Sequence, residues 1–132
     1  MPFVLDASVA LVWAFGDEER LPASSALERL RRDEALVPSL WWFEVRNALI
    51  ANERRGRLTE ADTATFLRDL SHLRIAVDLT PDEPAVLKLT RRHRLTVYDA
   101  AYLELAQREA VPLATLDSDL ARAARAENVA LV

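Results

Sequence analysis

Apolar residues fall along this chain in short strand-length runs set between longer stretches of helical spacing. Phe3-Val4-Leu5 is a continuous apolar run and reads as a buried strand. Asp6-Ala7-Ser8 follows, then a helix expected from Val9 to Phe15 and stopped by Gly16. Leu21 to Arg32 reads as a second helix with Leu27 and Leu30 facing inward. Leu36-Val37 before Pro38 is a short strand, and Ser39 is placed to cap a long helix from Leu40 to Arg55, ended by Gly56. Thr59-Glu60-Ala61-Asp62 resembles a capping pattern for a helix running to Leu73. Ile75 to Leu79 alternates like a strand, and Asp82 to Arg94 is helical, with prolines at the entrance where they are tolerated. After Leu95-Thr96-Val97, Asp99 leads a helix from Ala100 to Glu109. Pro112 to Leu116 is a strand that runs out at Asp117, Ser118 to Ala126 a last helix, and Ala130 to Val132 a last strand.

Strands alternating with helices require a mainly parallel sheet with helices on both faces, joined by right-handed crossovers. The expected fold is α/β, a three-layer α/β/α arrangement, with residues 1–132 as a single domain. No repeat, linker or low-complexity tract interrupts it. In open sheets of this kind, sites form outside the carboxyl ends of the strands. Asp6 and Asp117 each stand where an apolar strand gives out, and Asp99 stands at a helix start.

Composition narrows the chemistry. With no cysteine among 132 residues, disulfides, thiolate metal sites and cysteine nucleophiles are excluded, and a reducing cytoplasm is the expected compartment. The longest early apolar run, Ser8 to Phe15, is far short of the roughly 20 residues of a membrane-spanning helix and lacks the flanks of a signal peptide. Seventeen basic against 21 acidic residues give a net charge of −4, which argues against a polycation that coats nucleic acid. Lys88 is the only lysine. A preference for arginine fits phosphate recognition, and GC-rich coding fits it as well.

The acids have two readings. Aspartate before a helix is a common N-cap, which accounts for Asp6, Asp99 and Asp117 taken singly. Asp119 falls in a first helical turn, where the dipole alone favours a carboxylate. Glu44 shares a helical face with Trp41 and Ala48, so its carboxylate edges an apolar stripe or needs a cation, hydrogen bonds or solvent there. Taken together, the acids form a hard-oxygen set suited to magnesium, which keeps several waters and is held by one or two carboxylates plus substrate phosphate. Such a metal activates water and neutralises charge growing on a phosphodiester. Without Asp6, Glu44, Asp99 and Asp117 the rest of the chain is charge-neutral. Arg54, Arg55 and Arg57, and Arg91, Arg92 and Arg94, are candidate phosphate contacts; complementing helix dipoles explains both groups equally. His72 and His93 read as surface residues.

Four segments in order resemble the motifs of PIN domains and, more narrowly, of VapC toxins from bacterial toxin–antitoxin pairs. They are Val4 to Ser8, Phe43 to Leu49, Tyr98 to Ala106 and Leu113 to Leu120, and the likeness runs from residue 4 to the end. The resemblance implies an endoribonuclease dependent on Mg²⁺ or Mn²⁺, inhibited by a cognate VapB-type antitoxin. It places Asp6, Glu44, Asp99 and Asp117 on the family's acidic positions, with Asp6, Asp99 and Asp117 as metal ligands. Ser8 and Thr115 fall where small hydroxyl residues support the acids, and Asp119 on an additional acid of variable role. It also implies a homodimer and a toxin–antitoxin hetero-oligomer, for which Trp13, Trp41, Trp42 and Phe43 are candidate contacts. Trp41 and Trp42 are adjacent, so at least one should face away from the core.

Two other readings compete. A PIN-like nuclease acting on DNA would use the same acids. A non-catalytic α/β protein-binding module, or a receiver in which Asp6 accepts a phosphoryl group, is a different class. A receiver wants an acidic pair by the first strand and a lysine after the last ones, whereas Lys88 sits within a helix.

Overall fold

The computed structural model describes residues 1–15 and 21–132. Its strands are β1 (Phe3–Leu5), β2 (Ala35–Pro38), β3 (Ile75–Asp78) and β4 (Leu113–Ala114). Its helices are α1 (Ala7–Val12), α2 (Leu21–Arg29), α3 (Leu40–Arg54), α4 (Glu60–Ser71), α5 (Glu83–His93), α6 (Val97–Glu109) and α7 (Ser118–Ala126). All strand pairs are parallel, in the order β3-β2-β1-β4. Every residue of β1 is fully buried, as a central strand covered on both faces must be. Helix α6 packs on β1, β2 and β4 and is flanked by α5 and α7, while α1 packs against α2 and α3.

Because the sheet is parallel, β1 and β4 finish at the same edge, side by side. Asp6 continues the ladder beyond β1, its N–H donating to the Ala114 carbonyl at 3.0 Å. The residues after Leu5 and after Ala114 are thereby held together.

Several expected elements change in extent. The proposed strand at Ala130–Val132 reduces to a single parallel bridge between Leu113 and Leu131, because Leu113 alone supplies both the donor and the acceptor. The strand expected over Pro112–Leu116 keeps two residues. The helix from Leu21 ends at Arg29 rather than Arg32. Its inner face is Ala23 and Ala26, with Leu30 buried just beyond its end, and Leu27 is exposed: small residues let the helix approach the core, and the larger side chain falls on the outer face. The first helix begins at Ala7 and ends at Val12, and Gly16, read as its stop, lies outside the described residues. Helix α6 starts at Val97, not Ala100, because the Thr96 hydroxyl accepts the Asp99 N–H and caps the helix three residues earlier. The capping box at Thr59 and Asp62 forms in both directions, and Pro84 sits in the first turn of α5.

The two tryptophans split as adjacent helical positions should. Trp41 is buried, while Trp42 is 48% and Phe43 68% exposed. His72 is exposed, but His93 is not a surface residue. Its Nε2 lies 2.6 Å from Glu127 Oε2, so this carboxylate draws the imidazole inward, while Arg92, which also pairs with it, stays half exposed.

Candidate active site

Asp6 is the centre of the sheet edge. It occupies the N-cap position of α1 with extended backbone, yet its side chain makes no capping bond. Instead its Oδ2 accepts two hydroxyls, from Ser8 and from Thr115, each at 2.7 Å. The hydroxyls are themselves held: Ser8 Oγ accepts the Leu116 N–H and Thr115 Oγ1 accepts the Asp117 N–H, both at 3.0 Å. A hydroxyl held in this way stays aimed at the carboxylate, so Oδ2 of Asp6 is pinned, and among the described residues no side-chain donor reaches Oδ1.

The other acids arrive from different elements. Asp117 is a working cap, its Oδ1 accepting the N–H groups of Asp119 and Leu120 at 2.8 and 3.0 Å, which leaves Oδ2. Asp99 is not a cap at all. It lies in the first turn of α6, whose capping is done by Thr96, and its side chain is released from that task. Glu44, half-buried on α3 beside the stripe of Trp41, Val45 and Leu49, accepts the Tyr102 hydroxyl at 2.5 Å. Asp119 sits at the fringe, 73% exposed and 3.7 Å from Arg122.

Burial and mutual charge act together on these acids. Burial raises the pKa of Asp6, with the Ser8 and Thr115 hydroxyls opposing it and the Asp117 charge adding to it. Glu44 is raised by burial first and then by Asp6 and Asp99, against the lowering effect of the Tyr102 hydroxyl. Asp99 is pushed up to about 6 by burial and by the charges of Asp117 and Asp6. Tyr102 is driven well above the phenol range by burial and its bond to Glu44, so it stays a proton donor to that carboxylate. Among the described residues, none of the four acids has an ion-pair partner. Carboxylates crowded without a cation are a destabilised arrangement that a bound cation relieves.

The donor set is all oxygen, which suits a hard cation such as Mg²⁺ or Mn²⁺. Among the described residues no group of three or more acidic or histidine side chains is placed to hold a metal ion. A magnesium ion that keeps several waters needs only one or two direct carboxylates, so the lack of such a group does not conflict with an all-oxygen edge.

The crowding has a measurable consequence. The fold disfavours the Asp99 carboxylate, so metal-free protein should gain stability as pH falls from about 6 toward the ordinary value of 3.8, where the unfolded chain also protonates. Asp99→Asn is therefore expected to raise the unfolding midpoint in EDTA at pH 7.5, by about 4 °C for roughly 1 kcal/mol once solvent screening is allowed for. The advantage should shrink as pH falls below about 6 and close near 3.8. Thermal melts of both proteins across this range test it, and a destabilised Asn variant at pH 7.5 would overturn it.

Tyr102 is the functional neighbour that sequence alone does not assign. Its one signal is that a tyrosine buried on the inner face of α6 must find a partner for its hydroxyl.

Residues 3–126 match the PIN domain family. Ribonuclease VapC3 of Pyrobaculum aerophilum is 34% identical over 125 residues, covering 92% of this chain and 93% of that protein. The fold is similar to the crystal structure of PAE2754 from Pyrobaculum aerophilum, with a TM-score of 0.73, 22% identity, and coverage of 93% of this chain and 84% of that one. It is also similar to Mycobacterium tuberculosis VapC20, described as a toxin that cleaves the sarcin-ricin loop, with a TM-score of 0.66, 12% identity, and coverage of 92% and 94%.

Proposed function

This chain belongs to the PIN-domain family, and from that premise we propose that it is a VapC-like endoribonuclease toxin that uses Mg²⁺ or Mn²⁺ to hydrolyse RNA phosphodiester bonds. The observation that carries the reading is Asp6: a buried carboxylate at the sheet edge, one oxygen pinned by two hydroxyls and the other reached by no side-chain donor among the described residues, in a set of acids that no protein cation neutralises. When bound, a divalent cation there supplies water activation and charge neutralisation at the phosphodiester.

The protein's own part is positioning. Asp6, Asp99 and Asp117 offer the ligand oxygens. Ser8 and Thr115 fix the orientation of Asp6, as hydrogen-bond partners behind a metal ligand do. Tyr102 holds one oxygen of Glu44, leaving the other to accept a hydrogen bond from water or substrate at the mouth of the cluster. Asp119 stands close enough to add to the local negative charge. Residues 1–132 act as one such domain in the cytoplasm, as a homodimer neutralised by a VapB-type antitoxin in a hetero-oligomer. Among the described residues no helix is long and apolar enough to cross a membrane.

Parallel incubation with single-stranded RNA, structured RNA and duplex DNA, with Mg²⁺ and then EDTA, tests the activity. RNA should be cut internally and only with the metal present. Cleavage confined to DNA, or cleavage indifferent to EDTA, would remove the reading.

A further inference from the structure

An anionic substrate approaching a cluster of acids needs cations placed beside that cluster. Of the arginines that sequence nominates for this task, Arg92 is committed to Glu127 at 3.0 Å. Arg57 is different. It follows α3 at the turn through Gly56, where its N–H donates to the Asn52 carbonyl at 2.9 Å and its Nη1 to Asn52 Oδ1 at 3.3 Å. Its guanidinium carbon lies 4.5 Å from the centroid of the Phe15 ring.

Two surface clefts meet at this pair. One, of about 360 Å³, is lined by Ser8, Leu11, Leu116 and Asp117 and ends at Phe15 and Arg57. The other, of about 630 Å³, begins at the same two side chains and continues past Trp13 and Phe66. The smaller cleft thus connects the hydroxyl that braces Asp6, and Asp117 itself, to a stacked guanidinium. Asp62 and Asp117 line the clefts on either side, yet among the described residues Arg57 pairs with no acid. Each carboxylate has one oxygen engaged in a helix cap, Asp62 with Thr59 and Asp117 with Asp119 and Leu120.

A planar guanidinium braced on an aromatic face, with one side-chain hydrogen bond among the described residues, is well suited to phosphate. An aromatic beside it offers a platform for an unstacked base, and such platforms are the usual means of holding single-stranded RNA. The cleft volume lies at the small end of ligand pockets, which span about 300–1,000 Å³, and matches one nucleotide better than a duplex.

We propose that Arg57, stacked on Phe15, holds the phosphate of a nucleotide next to the scissile bond of single-stranded RNA, seating that nucleotide in the cleft beside Asp117. Arg57 is a substrate-positioning residue and takes no part in the chemistry. The assignment rests on the ribonuclease reading above.

The test uses the full chain and a fluorescent single-stranded RNA oligonucleotide, with Arg57→Ala, Arg57→Lys and Phe15→Leu. Arg31→Ala is the control, because it removes the same charge at the opposite end of the sheet. Arg57→Ala should raise KM about ten-fold with kcat within about two-fold, and Phe15→Leu should raise it less. In an Asp6→Asn background, which binds without cutting, the slope of log affinity against log salt should fall by about 0.7 for Arg57→Ala. Arg57→Lys should restore that slope but only part of the affinity, since a lysine keeps the charge and loses the fork. A wild type that cuts RNA while Arg57→Ala matches Arg31→Ala in KM and slope overturns the role of Arg57 alone. A fall in kcat with KM intact does the same. A wild type that cuts no RNA overturns the ribonuclease reading beneath it.

Discussion

Asp6→Asn is expected to lower Mg²⁺-dependent RNA cleavage by about a thousand-fold while leaving the protein folded. The substitution keeps one carbonyl oxygen, which accepts the Ser8 and Thr115 hydroxyls as Oδ2 does now. It replaces Oδ1 with an amide that cannot ligate a cation, and it removes the negative charge. Losing several kcal/mol of charge stabilisation in the transition state corresponds to a loss of this size. Folding should not suffer, because the Asp6 carboxylate is strained by burial and by Asp117, and neutralising it relieves both. Asp99→Asn should behave alike. Ser8→Ala and Thr115→Val act one step further out and should cost about ten- to a hundred-fold, since each leaves the carboxylate present but less firmly aimed. Initial rates with matched circular dichroism decide the matter. Full metal-dependent activity in a folded Asp6→Asn or Asp99→Asn protein would sink the carboxylate mechanism.

The edge of the sheet was legible in the sequence because an apolar run that ends in an acid carries both a strand and its terminus. Phe3 to Leu5 followed by Asp6 has that form, and so does the run ending at Asp117. What the sequence hid was which aspartates were caps. Asp6 and Asp117 hold the same N-cap position, yet only Asp117 bonds to its helix. The difference lies in Ser8 and Thr115, which capture Oδ2 of Asp6 first, and Thr115 lies 109 positions away. The start of α6 was misplaced by three residues because Asp99 is by itself as good an N-cap as Thr96. The Thr96 hydroxyl takes that place by capping the backbone. Tyr102 and Glu44 are 58 positions apart, and no periodicity reports a bond across that distance. The same limit applies to α2, where the inner face is set by which residues are small enough to approach the core, not by which are most apolar.

Helix α6 carries Asp99 and Tyr102, and one polar clamp fixes it to the sheet and to α5. Glu104, only 2% exposed, accepts the Asp82 N–H at 3.0 Å and Arg108 Nε at 2.7 Å. Arg108 in turn grips Asp78, at the end of the edge strand β3, with two parallel bonds of 3.1 and 2.8 Å. The i,i+4 spacing of Glu104 and Arg108 is visible in the sequence, but Asp78 and Asp82 join them only in three dimensions. Glu104→Ala would leave the Asp82 N–H and part of the arginine without partners in a mostly buried setting. Breaking a buried pair from one side costs about 3–5 kcal/mol, and the exposed flank of Arg108 puts this case near the lower end. The expected loss is about 3 kcal/mol, or roughly 10 °C in unfolding midpoint. Glu104→Gln keeps an acceptor for Asp82 and should lose about half as much. Arg108 also holds the Asp78 carboxyl below its usual range, so that contribution persists above the ordinary value of 3.8 and is lost as pH falls beneath it. Denaturant unfolding of Glu104→Ala, Arg108→Ala and the double variant at pH 7 isolates the pair. A single-variant loss under about 1 kcal/mol would mean that α6 is held by its apolar face alone, and that the clamp contributes nothing to the placement of Asp99.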